Sequence, residues 1–489
     1  MSTPPSKKIR SLLEYAVISS DKRAPPLPSR HSILILPNEI LELVVKIYLE
    51  DRFGRRGHPA SSMTITSICR LFRAIATRLI LHLSLNDAGD LKAAQLSRTI
   101  LKTLSLSLTL KPDVLPFWAR RPSYVLNDIS ISVPLATSLE IKRGGRFQDG
   151  SWMLPSLFYN LSFPSLTSLT LCNFGLGPTS LREFHHLTHL ALVVRPDVNG
   201  TFPSPLQMHP TVVLGALEHF AKLERLELDG AICSRCTPYP LPSVDTLRQL
   251  RSIRLANHGC KQLDVLKGLV LPPGTKISLY IRSLPDTSHL QQLGDVLIEK
   301  LGMDPSKGAD SDMESFSMFA LQSISSENPT VSLQWHRHPV CLDNFLSDGA
   351  IPDIEVLVPL PEPRWADSLF TNVTARFCYT STTQFYIEPL PPLKRLLPTH
   401  LFPLLSLMTR LDTLILGGIS FSGNEAGGFP CGDLSDALLS RKKSRETLEK
   451  LILWNCFDEG TYVYEQLSPL ANEFYSSHLV DDISRIRAL

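Results

Sequence analysis

The chain has 489 residues, 43% of them hydrophobic and 20% charged. That is enough apolar surface for a sizeable core and more than one folding unit, and it excludes wholesale disorder. Lys plus Arg number 49 and Asp plus Glu 47, a formal net charge of +2, so no global field draws the chain to nucleic acid or an anionic membrane. No run approaches eighteen uninterrupted apolar residues, which argues against a helical membrane span. The opening MSTPPSKKIRSLLEYAV lacks a long apolar stretch and a small-residue cleavage site, so a secretory signal is not expected. Nine scattered cysteines, an odd number in a long chain, read as reduced thiols. The expected location is intracellular, in cytoplasm or nucleus.

Residues 1–31 carry six basic and two acidic residues with Pro25, Pro26 and Pro28 near the end, and read as a solvated basic tail. Order is expected from residue 32. In SILILPNEILELVVKIYL the proline suits a first helical turn, where its missing N–H costs nothing. Glu39 then faces the positive end of the helix dipole. Ile40, Leu41, Val44, Ile47 and Tyr48 recur at three- and four-residue steps and form one apolar stripe. After a polar loop, TITSICRLFRAIATRLILHL sets Ile68, Cys69, Phe72, Ile75, Ala76 and Leu79 on one side of a second helix. Two short helices with wide apolar faces need something to pack against.

These two segments resemble an F-box. Leu36, Pro37, Glu39, Ile40 and Leu41 match its opening, and Ile68, Cys69, Arg70, Phe72, Arg73, Ile75 and Ala76 match its second half. The stretch between them, residues 51–62, is longer and more basic than is usual in the family. The resemblance implies a small all-α module over residues 32–85 that docks on the Skp adaptor of a cullin–RING ubiquitin ligase. Leu36, Pro37, Ile40, Leu41, Val44, Ile68, Cys69, Phe72 and Ala76 would then be the adaptor-binding residues, each buried aliphatic or aromatic side chain contributing roughly 1.5–3 kcal/mol.

Beyond residue 100 the pattern becomes Leu-x-x-Leu-x-Leu, with copies beginning at Leu101, Leu126, Leu166, Leu187, Leu223, Leu250, Leu411 and Leu448. In a leucine-rich chain the number of copies proves little; the residue just beyond each copy is more specific. Asn173, Asn257 and Asn455 stand two residues after the last apolar position of three copies, although Asn is only 13 of 489 residues. The leucine-rich repeat places Asn there to satisfy backbone groups at the turn out of the strand. The spacings Leu101–Leu126, Leu166–Leu187 and Leu223–Leu250 fall within the range for that repeat, of about 20–29 residues; the others need insertions. Between Leu250 and Leu411 no clean copy occurs, but TKISLYI, PTVSLQW, PDIEVLV and TQFYIEP read as strands. Proline-rich connections there point to extended backbone instead of helices. Residues 302–328 read as a surface loop or insertion, and 461–489 as a capping helix around Leu467, Leu470, Phe474 and Leu479.

The expected fold class is therefore α/β: a short helical F-box module, then an irregular leucine-rich-repeat solenoid over 86–460 and a capping segment over 461–489. In such a solenoid the leucines point into the core and the residues between them face out along a concave sheet. His189, Arg225, Glu227, Asp229, Ser252 and Arg254 are the candidates for target contact. No Gly-x-Ser-x-Gly elbow or phosphate loop occurs. Cys233-Ser-Arg-Cys236 has no second pair at zinc spacing, and His185, His186 and His189 have no carboxylate cluster nearby. No catalytic residue, metal or cofactor is expected. The expected function is a non-catalytic substrate receptor that holds the Skp adaptor and cullin at one end and an unknown protein target at the other, with no nucleic-acid or membrane partner. Two other readings stand beside it. One is an interaction scaffold with no ligase, marked by absence of the adaptor from the purified complex. The other is an enzyme whose site is assembled from distant residues, marked by a pocket of strongly perturbed titratable groups.

Overall fold

A computed structural model describes residues 82–85, 105–110, 136–143, 163–174, 184–196, 206–233, 240–258, 261–283, 286–301, 316–323, 330–341, 344–345, 350–360, 363–377, 379–388, 402–419, 421, 431–442, 447–456 and 461–476. The nine adaptor-binding candidates, Leu36 to Ala76, and the copy at Leu126 lie outside the described residues. The protein is a mixed α/β structure in two units, residues 1–207 and 208–489.

In the first unit five parallel strands follow one another in chain order: β1 (His82–Leu85), β2 (Ser105–Leu110), β3 (Ser138–Arg143), β4 (Ser168–Cys172) and β5 (His189–Val193). Leu139, Leu169 and Leu190 are level across the sheet, as are Ile141, Leu171 and Leu192, and all six are buried. β1 lies inside the span assigned to the helical module, because from Leu81 the sequence LHLSL has switched from helical spacing to strict alternation.

The second unit carries β6 (Arg225–Asp229), β7 (Ser252–His258), β8 (Lys276–Ser283), β9 (Met318–Ser323), β10 (Thr330–His336), β11 (Ile354–Pro359), β12 (Gln384–Glu388), β13 (Thr413–Gly417), β14 (Leu448–Trp454) and β15 (Ala471–Ser476). All four segments read as strands between Leu250 and Leu411 are strands. Their order is β6-β7-β8-β11-β10-β9-β12-β13-β14-β15. β11 runs parallel to β8, β10 antiparallel to both neighbours, and β12 parallel to β9. A folded-back triplet thus interrupts an otherwise parallel sheet.

The segments that connect the strands include helices α1 (Pro210–Leu217), α2 (Lys261–Gly268), α3 (Ser288–Leu301), α4 (Pro363–Asn372), α5 (Phe402–Leu407), α6 (Cys431–Lys442) and α7 (Thr461–Leu467). The extended connections expected from the prolines are therefore helical in part. Pro363 begins α4 instead of preventing it, since a first-turn proline forfeits no helical bond. His209 caps α1, its Nδ1 accepting the Thr211 N–H at 3.2 Å. At Gly294 of α3 an added Cβ would collide with the Asn372 carbonyl of α4, so glycine is what lets these two helices touch.

Two further expectations are corrected. Met318–Ser323, within the supposed surface loop 302–328, is a strand with Met318, Phe319, Ala320 and Leu321 at most 1% exposed. The polar run before it masked a short apolar strand. Of the capping helix expected over 461–489, the described residues 461–476 form α7, a 3-10 turn, Ser468–Leu470, and strand β15, in which Phe474 is paired with β14; Leu479 lies outside the described residues.

The core-side register explains the entry into each strand. Leu166, Leu187, Leu223, Leu250 and Leu411 each donate their N–H to a carbonyl three residues earlier, on Phe163, Phe184, Phe220, Leu247 and Met408 respectively. All ten side chains are buried. At the exit the backbone is left-handed at Asn173 (φ 65°), Asn455 (φ 49°), Gly230 (φ 63°) and Gly418 (φ 61°). Asn and Gly are the residues that reach this region at least cost. The Asn side chains also act as expected: Asn173 Oδ1 accepts the Arg195 N–H at 2.8 Å, and Asn257 Nδ2 donates to the Ile232 carbonyl at 2.7 Å. Around the triplet the core turns aromatic. Phe319 packs against Trp335, Tyr379 and Phe385 with ring centroids 5.1–5.5 Å apart, and Trp335 stacks on Phe377 at 4.6 Å.

Candidate binding face

Successive side chains of a strand point to opposite sides of its sheet, so beside the core side the sheet has a second, outer face. The register brings five of the six candidate contact residues together on that face of the second unit. Arg225 is level with Ser252 and Glu227 with Arg254, while Asp229 is level with Ala256. His189 begins β5 in the first unit. The Thr188 hydroxyl donates to the Thr167 carbonyl at 3.1 Å, so it accepts from His189 Nδ1–H, 2.7 Å away. His186 is occupied too: its Nε2 lies 3.2 Å from the Phe163 carbonyl, which fixes it as the protonated nitrogen.

Charge pairs knit the face across strands. Arg254 reaches Glu227 at 3.3 Å with both side chains at least one-third exposed. Arg282 of β8 reaches across to Asp229 at 2.5 Å, and this pair is only 22% and 17% exposed. The Arg282 guanidinium also lies 5.8 Å from the Tyr280 ring centroid. Ser278 donates to Glu355 of β11 at 3.1 Å. At the head of β11, Asp353 accepts the Arg337 backbone N–H at 2.7 Å and the Arg337 guanidinium at 2.9 Å. Ser278, Tyr280, Arg282 and Glu355 thus join the face, although only β5, β6 and β7 supplied the expected residues. Their signal was the same alternation, in TKISLYIRS and IEVLVP.

Farther along, the face changes character. Met318, Ala320, Tyr386, Ile415 and Ile452 lie on it and are buried. Phe345 and Val340, from the connection between β10 and β11, pack on this cluster, as do Trp454 and Tyr475. The Phe345 and Tyr386 rings meet at 4.8 Å, and the Val340 N–H donates to Gln384 Oε1 at 3.0 Å. Gly417 makes room for Tyr386: a Cβ there would lie 2.5 Å from the phenol oxygen. That phenol donates to Glu388 at 2.9 Å. Burial, and then the Glu388 carboxylate, push its pKa well above the usual tyrosine range.

His336 stands where the two regions meet. It is 3% exposed, and its Nε2 has no hydrogen-bond partner. Burial holds its pKa below the ordinary histidine value, with Asp353 opposing and Lys276 reinforcing that effect. Tyr379, also shifted upward by burial, belongs to the core and so lies on the opposite side of the sheet from Tyr386. Among the described residues no group of three or more His, Cys, Asp or Glu is arranged to hold a metal ion. None of their helices is long and apolar enough to cross a membrane. Compared with protein-family models and with curated proteins, the sequence matches none.

Proposed function

We propose that this chain is the substrate-recognition subunit of a cullin–RING ubiquitin ligase, working in the cytoplasm or nucleus. Within residues 32–85 the segments 36–41 and 68–76 resemble an F-box, and the module would dock on the Skp adaptor through Leu36, Pro37, Ile40, Leu41, Val44, Ile68, Cys69, Phe72 and Ala76. The strands beyond would form an irregular leucine-rich-repeat domain that holds a protein target. In the second unit Arg225, Glu227, Asp229, Ser252 and Arg254 would make target contacts, and in the first unit His189. The chain itself would catalyse nothing. Its contribution to rate is proximity, which turns an encounter between target and ubiquitin carrier into a tethered reaction.

The observation that carries this reading is the order of the two F-box halves, Leu36-Pro37-x-Glu39-Ile40 and then Ile68-Cys69-Arg70-x-Phe72, near the N-terminus and ahead of the strands. The test is co-purification of the whole chain with the Skp adaptor, beside a variant with Leu36, Pro37 and Ile40 changed to Ala. Binding by the unchanged chain and its loss in the variant, at unchanged circular dichroism, is the expected result. Failure of the unchanged chain to bind overturns the ligase reading. The polar outer face spanning β6 to β8 would then favour an interaction scaffold, since that face exists whatever residues 32–85 bind.

A further inference from the structure

We propose that His336 is a pH-sensitive latch: protonation of its buried imidazole releases Phe345 from the outer face and uncovers the apolar end of that face. The geometry has three parts. First, the aromatic ring of Phe345 sits edge-on to His336, centroids 6.1 Å apart at 71°, and on Tyr386 and its apolar neighbours on the other side. Second, His336 is enclosed with Nε2 unpartnered, so in the imidazolium, which is protonated on both nitrogens, the Nε2–H meets no acceptor among the described residues. Third, the connection that carries Phe345 is tied down at both ends by polar contacts. Arg337 is held by Asp353, Val340 N–H by Gln384, and the Ile351 carbonyl accepts from Lys276 at 3.5 Å.

The charged and titratable groups around the imidazole divide. Asp353 on β11 favours the imidazolium, and Lys276 on β8 disfavours it. Met318, level with His336 on β9, is neutral. Arg337 and His338 come after it in the chain. Desolvation is the largest influence and favours the neutral ring. A histidine held below its ordinary value of 6.5 binds a proton more readily once the contact opens. The contact is therefore stable above that value and lost as pH falls through the lowered native value. Over that window the open population grows by up to about tenfold per pH unit.

The latch rests on the fold alone; only its use, admitting a target to the apolar end, rests on the receptor reading. The test is hydrogen exchange of the full chain at pH 7.5 and 5.5, corrected for the intrinsic pH dependence of amides. The reporters are Val340 and Phe345, whose N–H groups bond to Gln384 and to the Cys341 carbonyl, with Ser252, bonded to the Glu224 carbonyl, as reference. Acidification is expected to speed the two reporters by up to about tenfold and leave the reference unchanged. In His336→Gln the acceleration disappears. Should that variant not fold, Phe345→Ala serves: Val340 then exchanges fast at pH 7.5, and the acid step is lost because the imidazole is already solvated. Flat reporters in the unchanged chain, or an undiminished step in His336→Gln, overturn the latch. Failure of adaptor binding would leave either exchange result standing.

Discussion

Changing Asn173 to Ala isolates the turn out of β4. Asn173 is 9% exposed, holds φ at 65°, and accepts the Arg195 N–H at 2.8 Å. Alanine removes the acceptor, which costs about 0.5–1.5 kcal/mol for a typical hydrogen bond. It also places an ordinary L side chain in the left-handed region, a further 1–2 kcal/mol or so. The sum is about 1.5–3.5 kcal/mol. Asn173→Gly removes the same bond but keeps the left-handed backbone comfortable, with a smaller penalty of roughly 0.5–1 kcal/mol from the freer unfolded chain. Glycine should therefore be the milder change by several tenths to about 1 kcal/mol. The assay is hydrogen exchange at Thr188, whose N–H bonds to the Thr167 carbonyl of the entry to β4, combined with urea unfolding. Equal losses for Ala and Gly would refute the backbone part of the argument. No loss for either would refute both parts.

Gly294→Ala should destabilise by at least about 1–3 kcal/mol, the usual cost of overpacking, because the obstructing atom is the Asn372 carbonyl and backbone yields less than a side chain; the urea midpoint reads this directly. Trp335→Ala, which empties a 1%-exposed site stacked on Phe377, should cost about 3–5 kcal/mol in the same measurement. Cys431 is 6% exposed, and burial pushes its thiol up to about 11. The folded protein should resist alkylation there at pH 8 and lose that resistance in urea; mass mapping after a timed iodoacetamide pulse decides it.

How far the sequence is legible depends on which residue occupies each register position. Where the three positions of Leu-x-x-Leu-x-Leu are all held by Leu or Ile, at Leu166, Leu187, Leu223, Leu250, Leu411 and Leu448, the pattern marks strands β4 to β7, β13 and β14. Where one apolar position is replaced, the copy escapes notice. Ala136 precedes β3 in the place of leucine and is 1% exposed; Gly274 holds that place before β8 and Thr382 before β12. Thr382 fits because its hydroxyl donates to the Phe316 carbonyl at 3.3 Å. At β2 the frame itself moves. Leu106, level with Leu139, takes the position that the copy beginning at Leu101 gives to Leu104. The turn exits are legible where Asn marks them and silent at Gly230 and Gly418, which satisfy the same left-handed requirement.

The outer face is readable in its polar part and hidden in its apolar part. β6 reads Arg-Leu-Glu-Leu-Asp, clean alternation with one buried side. β12 reads Gln-Phe-Tyr-Ile-Glu and β13 Thr-Leu-Ile-Leu-Gly, with three apolar residues in a row. Such runs belong to strands covered on both faces, and here Tyr386 and Ile415 are the covered outer residues. What no periodicity reveals is the cover, because Val340 and Phe345 arrive from a connection between antiparallel strands. The strand order β8-β11-β10-β9-β12 is equally silent in the sequence: pairing is decided by long-range packing, and each segment read alone is simply a strand.

This division of the face also decides how the proposed target binding should be probed. Arg254 and Glu227 are an exposed pair, worth about 0–1 kcal/mol to the fold. Changing both to Ala should move the urea midpoint little. Arg282 and Asp229 are more enclosed, and Arg282→Ala strands a carboxylate that loses a charged hydrogen bond of about 1.5–3 kcal/mol. A binding defect after Arg282→Ala would therefore confound recognition with stability, whereas one after the Arg254 and Glu227 changes would report recognition. The two unfolding curves test the premise before any target is in hand. Equal losses would mean that exposure does not rank these pairs, and that Arg254 is held by more than Glu227.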